Sequence, residues 1–160
     1  WEDPLEPGRC GIRYLPVALC SHQPLDMVIV SLGTNDCKAS FHAPAGLIAQ
    51  GLGRILSCIQ RHPYTTGRVP DVIVVSPIAI GEACDVLFPA FDHTSVEKAR
   101  RLAPLFERTA KANGCLFLDA AQVAGPSSRD YLHMDPEGHA ALADALARLI
   151  RQAGADRAAP

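Results

Sequence analysis

Three short runs of β-branched and other apolar residues limit the folds open to this sequence more than any other feature. The runs are residues 26–32, 71–77 and 115–119, and each is followed by a polar turn or loop. Continuous apolar runs of this length, without alternation of polar residues, are typical of strands buried on both faces of a parallel sheet. We therefore expect three parallel strands.

Segments with helical periodicity lie between and after these runs. Leu47, Ile48, Leu52, Ile55 and Leu56 recur at the spacing that places side chains on one face of a helix. Alternating strands and helices predict an α/β fold, in which helices flank a parallel sheet, and we expect a single domain over residues 1–160. The expected helices are residues 14–20, 43–61, about 94–113 and 136–152.

Two details of these helices are open to test. Either Thr94 or Ser95 can cap the third helix, and Pro104 inside it is expected to kink or break it. Residues 78–93 are expected to form a long irregular segment, and residues 153–160 a frayed tail.

The composition argues against several classes of protein. The net charge is -2, and no basic patch is present that would favour a nucleic acid or an anionic membrane surface as partner. No apolar run approaches the roughly 18 residues of a membrane span, and residues 1–4 lack the features of a signal peptide, although a processed precursor stays open. The six cysteines form no CxxC pair. They fit either three disulfides in a secreted protein or free thiols in the cytosol, and we favour free thiols and a cytoplasmic protein.

Polar side chains follow the three expected strands. They are residues 33–36 after the first strand, Ser76 at the end of the second, and residues 130–133 in the loop after the third. Ligands of open α/β sheets bind beyond the carboxyl ends of the strands. We therefore expect Gly33, Thr34 and Ser76 to contact a substrate, with Gly33 allowing a tight turn that leaves room for it.

The side chains in these clusters suit acyl-transfer chemistry. A histidine acting as general base needs an acceptor that orients its second ring nitrogen, and Asp130 lies three positions before His133. The Asn35 amide could donate a hydrogen bond to a developing oxyanion, a contact worth roughly 3–4 kcal/mol in a dry site. Asp130, His133, Asp135 and His139 could instead form a metal cluster, but Asp135 is better explained as the N-cap before Pro136.

Two of these clusters resemble sequence blocks of the SGNH/GDSL hydrolase family. Leu32-Gly33-Thr34-Asn35-Asp36 is similar to block III, and Asp130-Tyr131-Leu132-His133 followed by Pro136-Glu137-Gly138-His139 is similar to block V. Residues 14–16 and 24–26 also resemble the bacterial arylesterase and acyltransferase branch. The resemblance covers nearly the whole chain and implies a flavodoxin-like parallel sheet.

The resemblance also implies a function. His133 would be the general base, Asp130 the acid that orients it, and Asn35 the oxyanion-hole side chain. The reaction would be hydrolysis of small-acyl aryl or alkyl esters through an acyl-enzyme, with acyl transfer to alcohols as a further activity. The resemblance implies no cofactor and no metal, and a small-molecule ester as the binding partner.

The chain departs from the family in one respect. The family's first block, a strand end resembling Gly-Asp-Ser-Leu that carries the nucleophile, has no counterpart here, and neither has block II. About one strand–helix–strand unit is absent, which would leave open strand edges. The chain could be a fragment of a longer enzyme, a truncated enzyme that folds as an oligomer, or an inactive, ligand-binding remnant. Ser40 and Ser76, and less readily Ser31, could in principle replace the missing serine.

An apolar stretch precedes the third expected helix. Leu87, Phe88 and Phe91 are either local core or an exposed patch, and exposed apolar patches often mark interfaces. We expect this stretch to help form a homo-oligomer.

Overall fold

The part of the chain that the structure describes contains three strands and four α-helices in alternation. The computed structural model describes residues 2–3 and 6–158, with side chains through residue 154. The strands are β1 (Met27–Ser31), β2 (Asp71–Ser76) and β3 (Leu116–Asp119). The helices are α1 (Gly11–His22), α2 (Ala45–Arg61), α3 (His93–Ala112) and α4 (Pro136–Ala158).

The strands form one parallel sheet in the order β1-β2-β3. In the register of this sheet Ile29 lies opposite Ile73, and Val75 lies opposite Leu118. The predicted α/β fold with a parallel sheet and flanking helices is confirmed. Because all three strands run the same way, their carboxyl ends meet at one edge, where the polar clusters follow.

Alternate residues of the strands enter two separate cores. Val30, Val72 and Val74 face one side of the sheet and pack in the larger core with residues of α1, α2 and α3. Ile73 and Val75 face the other side, where residues of α4 such as Leu142, Leu146 and Leu149 cover them. One sheet face therefore carries three helices and the other carries only α4.

This unequal cover corrects the expectation that every strand is buried on both faces. Only β2 is, because it lies in the middle of the sheet. Ile29 in β1 is 43% exposed and Ser31 is also exposed, while β3 is half-buried throughout. A single helix is too narrow to cover three strands about 4.8 Å apart, so the α4 side of β1 is left open.

The start of α3 differs from the expected cap. Asp92 is the N-cap: its carboxylate accepts a hydrogen bond from Ser95 N at 3.1 Å, and Ser95 Oγ accepts one from Asp92 N at 3.2 Å. These reciprocal bonds form a capping box, so Ser95 is the third residue of the helix and not its cap.

Pro104 does not divide α3, which is one helix from His93 to Ala112. Pro104 is exposed, while Leu102 and Phe106 on either side of it are buried in the core. Their burial offsets the hydrogen bond that the proline ring removes from the helix.

Two other helices are longer than expected. Helix α1 covers Gly11–His22, and α4 continues to Ala158, where a frayed tail was expected from residue 153. Ala153 favours this extension, since alanine has the highest helix propensity. Residues 159–160 lie outside the described part. None of the described helices combines the length and apolar character needed to cross a bilayer.

All six cysteines are free thiols, as expected, and none is joined to another. Cys10, Cys37 and Cys84 are buried, and Cys20 is exposed. The three buried cysteines act as small apolar side chains in this fold.

Candidate active site

Asp130 and His133 form an acid–base pair within one turn. The Nδ1 atom of His133 lies 2.8 Å from Oδ2 of Asp130. The other carboxylate oxygen, Oδ1, accepts hydrogen bonds from the backbone N–H groups of Leu132 at 3.0 Å and His133 at 2.9 Å. The His133 backbone N–H, the Leu132 N–H and the imidazole together lower the pKa of Asp130 to about 2. Asp130 is therefore ionised at neutral pH.

The backbone around this pair holds the turn closed. Tyr131 is in the left-handed region at φ 59°, which directs the next two N–H groups back toward Asp130. Ser127 N donates to His133 O at 2.7 Å, and Tyr131 N donates to Ser127 O at 2.8 Å. Leu132 is buried and anchors the turn in the core, whereas the His133 side chain is 66% exposed.

This arrangement leaves one nitrogen of the imidazole available for chemistry. In neutral His133, an Nδ1–H group donating to the carboxylate places the lone pair on Nε2. Among the described residues no hydrogen bond to Nε2 is present, and the ring is largely open to solvent. His133 can therefore accept a proton at Nε2 while Asp130 holds its other side.

Asn35 lies at the same edge of the sheet, in a short 3-10 turn of residues 35–37 after β1, and its side chain is exposed. Gly33 precedes it with φ 123°, a conformation that L side chains rarely adopt. A Cβ on Gly33 would come within 3.1 Å of Phe106 and Pro77. Gly33 thus allows the tight turn, and the position that a Cβ would take is occupied by core side chains. Its contact with a substrate stays a prediction.

Two neighbours of Asn35 were not singled out from the sequence. Burial raises the pKa of the Cys37 thiol to about 12, so this sulfur is protonated at neutral pH and is not an activated nucleophile. Lys38 Nζ lies 2.6 Å from Asp3 Oδ2, and both side chains are at least 86% buried. This ion pair fixes the Asn35 turn to the start of the chain.

Ser76 ends β2, as predicted, but its side chain is buried. It is 1% exposed, and its Oγ donates to Asp119 Oδ1 at 2.8 Å. Its hydroxyl therefore links the ends of β2 and β3 inside the sheet, so the structure favours a structural role over substrate contact or nucleophilic attack. Ser31 and Ser40 are exposed, and neither makes a hydrogen bond to His133 within the described part of the chain.

Residues 77–92, the segment between β2 and α3, connect the Asn35 turn with the turn that carries Asp130 and His133. Ala39 N, just after the Asn35 turn, donates to Ala90 O at 2.8 Å. At its other end Gly81 N donates to Tyr131 O at 2.8 Å, next to Asp130. The structure therefore brings Asn35 and Thr34 to the same sheet edge as Asp130 and His133, and this segment is hydrogen-bonded to both.

The apolar side chains of this segment divide between core and surface. Phe91 is buried, and Phe88 is half-buried with its ring against that of His133. Val86 and Leu87 are 77% and 56% exposed. Self-association through this exposed part stays a prediction.

Asp135 is the N-cap of α4, as expected. Its Oδ1 accepts a hydrogen bond from Gly138 N at 2.7 Å, and its carbonyl accepts one from His139 N at 3.0 Å. Within the described residues no three histidine, cysteine or acidic side chains gather as ligands of a metal ion would.

Comparisons with known proteins agree with this fold. The profile of the GDSL-like lipase/acylhydrolase family matches residues 8–141. A carbohydrate acetylesterase family member from Sinorhizobium meliloti is 32% identical with a TM-score of 0.88, over 95% of this chain and 73% of that one. The native M. smegmatis aryl esterase is also 32% identical, with a TM-score of 0.89, over 95% of this chain and 72% of that one. No match is found among curated proteins.

The fold agrees with the matched profile, which covers most of the chain. The chain belongs to the GDSL-like lipase/acylhydrolase family. It spans 66% of a further solved structure, which is 38% identical to it.

Because hydrogen bonds lower the pKa of Asp130, the free energy of unfolding of this protein depends on pH. The folded-state pKa of about 2 is below the value of about 3.9 for an unfolded aspartate. Ionised Asp130 therefore stabilises the fold above about pH 4, and this contribution is lost as the pH falls from 4 to 2. In Asp130→Asn the side chain keeps an acceptor oxygen but has no charge. We expect the difference in free energy of unfolding between the two proteins, from urea titrations, to shrink over this range. A difference that is constant from pH 7 to 2 would contradict the role of the charge.

Proposed function

We propose that this chain supplies the acid, base and oxyanion-hole side chain of a serine ester hydrolase. The observation that carries the proposal is the Asp130–His133 pair, whose free Nε2 lies at the sheet edge that also carries Asn35. A carboxylate and an imidazole in this contact form the proton-transfer part of a catalytic triad.

In this mechanism a serine hydroxyl attacks the carbonyl carbon of the ester while His133 Nε2 accepts its proton. Asp130 stabilises the resulting imidazolium, and the Asn35 amide donates to the oxyanion of the tetrahedral intermediate. The intermediate collapses to an acyl-enzyme when the alcohol leaves with the proton from His133. Water, with His133 again accepting the proton, then attacks the acyl-enzyme and releases the carboxylic acid and the free serine. When an alcohol attacks in place of water, the product is a new ester.

The serine comes from outside these 160 residues in our proposal. Ser76 is buried and bonded to Asp119, and Ser95 is buried in the capping box of α3. Ser40 is exposed but lies in a 3-10 turn, and it makes no hydrogen bond to His133 among the described residues. A nucleophile must come within about 2.6–3.2 Å of its base.

We propose small acyl groups, such as acetyl, on aryl or alkyl alcohols as substrates. Support comes from two of the solved structures reported above, which are described as a carbohydrate acetylesterase and an aryl esterase. Transfer of the acyl group to an alcohol would depend on how well the completed site excludes water.

A chimera tests the proposal. A relative's N-terminal strand–helix–strand unit, whose first strand ends in Gly-Asp-Ser, is joined in front of this chain. We expect the chimera to hydrolyse p-nitrophenyl acetate, and the same chimera with that serine replaced by alanine to show only the background rate. A folded chimera without turnover above background would count against the esterase function.

A further inference from the structure

The segment of residues 77–92 touches the acid–base turn at two points that take no part in the chemistry. Gly81 lies against Tyr131, the residue that separates Asp130 from Leu132 in the sequence. Phe88 lies against His133. Both contacts reach from one surface segment to the turn that orients the imidazole.

The contact at Gly81 leaves no space for a side chain. A Cβ at this position would be 2.7 Å from Cβ of Tyr131, 3.0 Å from its Cδ1 and 3.2 Å from its carbonyl oxygen. Gly81 also donates its N–H to that same oxygen at 2.8 Å. The backbone of Gly81 is not in the left-handed region, so its own conformation does not require glycine. Glycine is required because the two backbones approach each other closely.

This approach acts directly on the geometry of Asp130. Tyr131 is in the left-handed conformation, which is disfavoured for a residue with a large side chain. The hydrogen bond from Gly81 to its carbonyl helps to hold it there. If Tyr131 moves, the N–H groups of Leu132 and His133 turn away from Asp130 Oδ1, which they now contact at 3.0 and 2.9 Å.

Phe88 restrains the imidazole itself. The two ring centroids are 5.5 Å apart and the ring planes meet at 74°, the edge-to-face arrangement that aromatic pairs prefer. Phe88 is held in turn by its N–H donating to the carbonyl of buried Cys84 at 2.9 Å. The His133 side chain is 66% exposed. The Phe88 ring and the Asp130 carboxylate are therefore the contacts that limit rotation of the imidazole.

We propose that Gly81 and Phe88 are positioning residues that hold the Asp130–His133 pair in its reactive geometry. Gly81 holds the backbone of the turn, and Phe88 holds the imidazole ring. The inference deepens the proposed function and rests on it for its catalytic meaning, but the geometry itself can be measured without turnover.

Gly81→Ala tests the first contact in the 160-residue chain, with Gly125→Ala as the matched control. Gly125 lies in the loop after β3, and a Cβ there would meet nothing within 4 Å. Carbon-13 NMR of the Asp130 carboxyl group follows its titration. In Gly81→Ala we expect the Asp130 pKa to rise from about 2 toward its ordinary value of about 3.9, because the two N–H donors have moved. In Gly125→Ala we expect it to stay near 2.

Phe88→Leu tests the second contact, with Phe88→Tyr and Leu87→Ala as controls. Leu87 is the exposed neighbour, and tyrosine keeps the ring. The NMR signal of the His133 Nδ1 proton should be lost to exchange with water in Phe88→Leu and retained in both controls.

An unchanged Asp130 titration in folded Gly81→Ala would overturn the role of Gly81, and a retained Nδ1 proton signal in Phe88→Leu would overturn that of Phe88. If Gly81→Ala does not fold, the Phe88 comparison decides the proposal. These signals do not depend on ester turnover, so an inactive chimera with an intact pair would reject the proposed function and leave this inference standing.

Discussion

Replacing His133 with alanine is expected to lower kcat of the chimera by a factor on the order of 10⁴ or more. The loss follows from the position of the imidazole, whose Nδ1 is bound to Asp130 and whose Nε2 is open. Without it, the proposed mechanism has no general base for the proton of the attacking serine. The rate is measured with p-nitrophenyl acetate and with an alkyl acetate, since the alkyl alcohol needs a proton to leave.

His139→Ala is the matched control for this change. His139 is also an exposed histidine, six residues further on in the first turn of α4. Its backbone N–H donates to Asp135 O, and its side chain makes no hydrogen bond among the described residues. We expect His139→Ala to keep the activity of the parent chimera. Equal losses in the two variants would mean that the structure of the α4 start, and not proton transfer at His133, limits the rate.

Asn35→Ala is expected to lower kcat by about 10²–10³-fold with little change in KM. The reason is that the amide stabilises the oxyanion, a species that exists in the tetrahedral intermediate and not in the bound ester. Asn35→Asp should lose at least as much, because it keeps the shape of the side chain but offers no N–H donor.

Ser40→Ala serves as the control for Asn35, since Ser40 is exposed in the next turn of the same segment. It should leave both kinetic constants unchanged. A higher KM with unchanged kcat in Asn35→Ala would instead assign Asn35 to ground-state binding of the ester.

The local features of this protein could be predicted from its sequence. The apolar runs predicted where the parallel strands lie. The prediction of burial on both faces holds for β2, which lies between two neighbouring strands. The Asp130–His133 contact was also predictable, since a turn brings residues three apart within hydrogen-bond distance.

Features that depend on distant residues could not be predicted. Ser76 was placed among the candidate substrate contacts because it ends a strand, yet its partner Asp119 is 43 residues away. Phe106 occupies the position that a Cβ on Gly33 would take. Lys38 forms an ion pair with Asp3, which lies 35 residues earlier in the sequence. The exposure of Ile29 depends on how many helices cover each face of the sheet, which the pattern within β1 does not reveal.

The central claim is that this chain activates a serine that it does not itself contain. Intact-mass measurement after reaction with a fluorophosphonate probe tests this claim most directly. We expect the 17.1 kDa chain to stay unlabelled, the chimera to gain one adduct on its added serine, and the chimera with His133→Ala to gain none. An adduct on a serine of the 160-residue chain, or a folded chimera that stays unlabelled, would contradict the account.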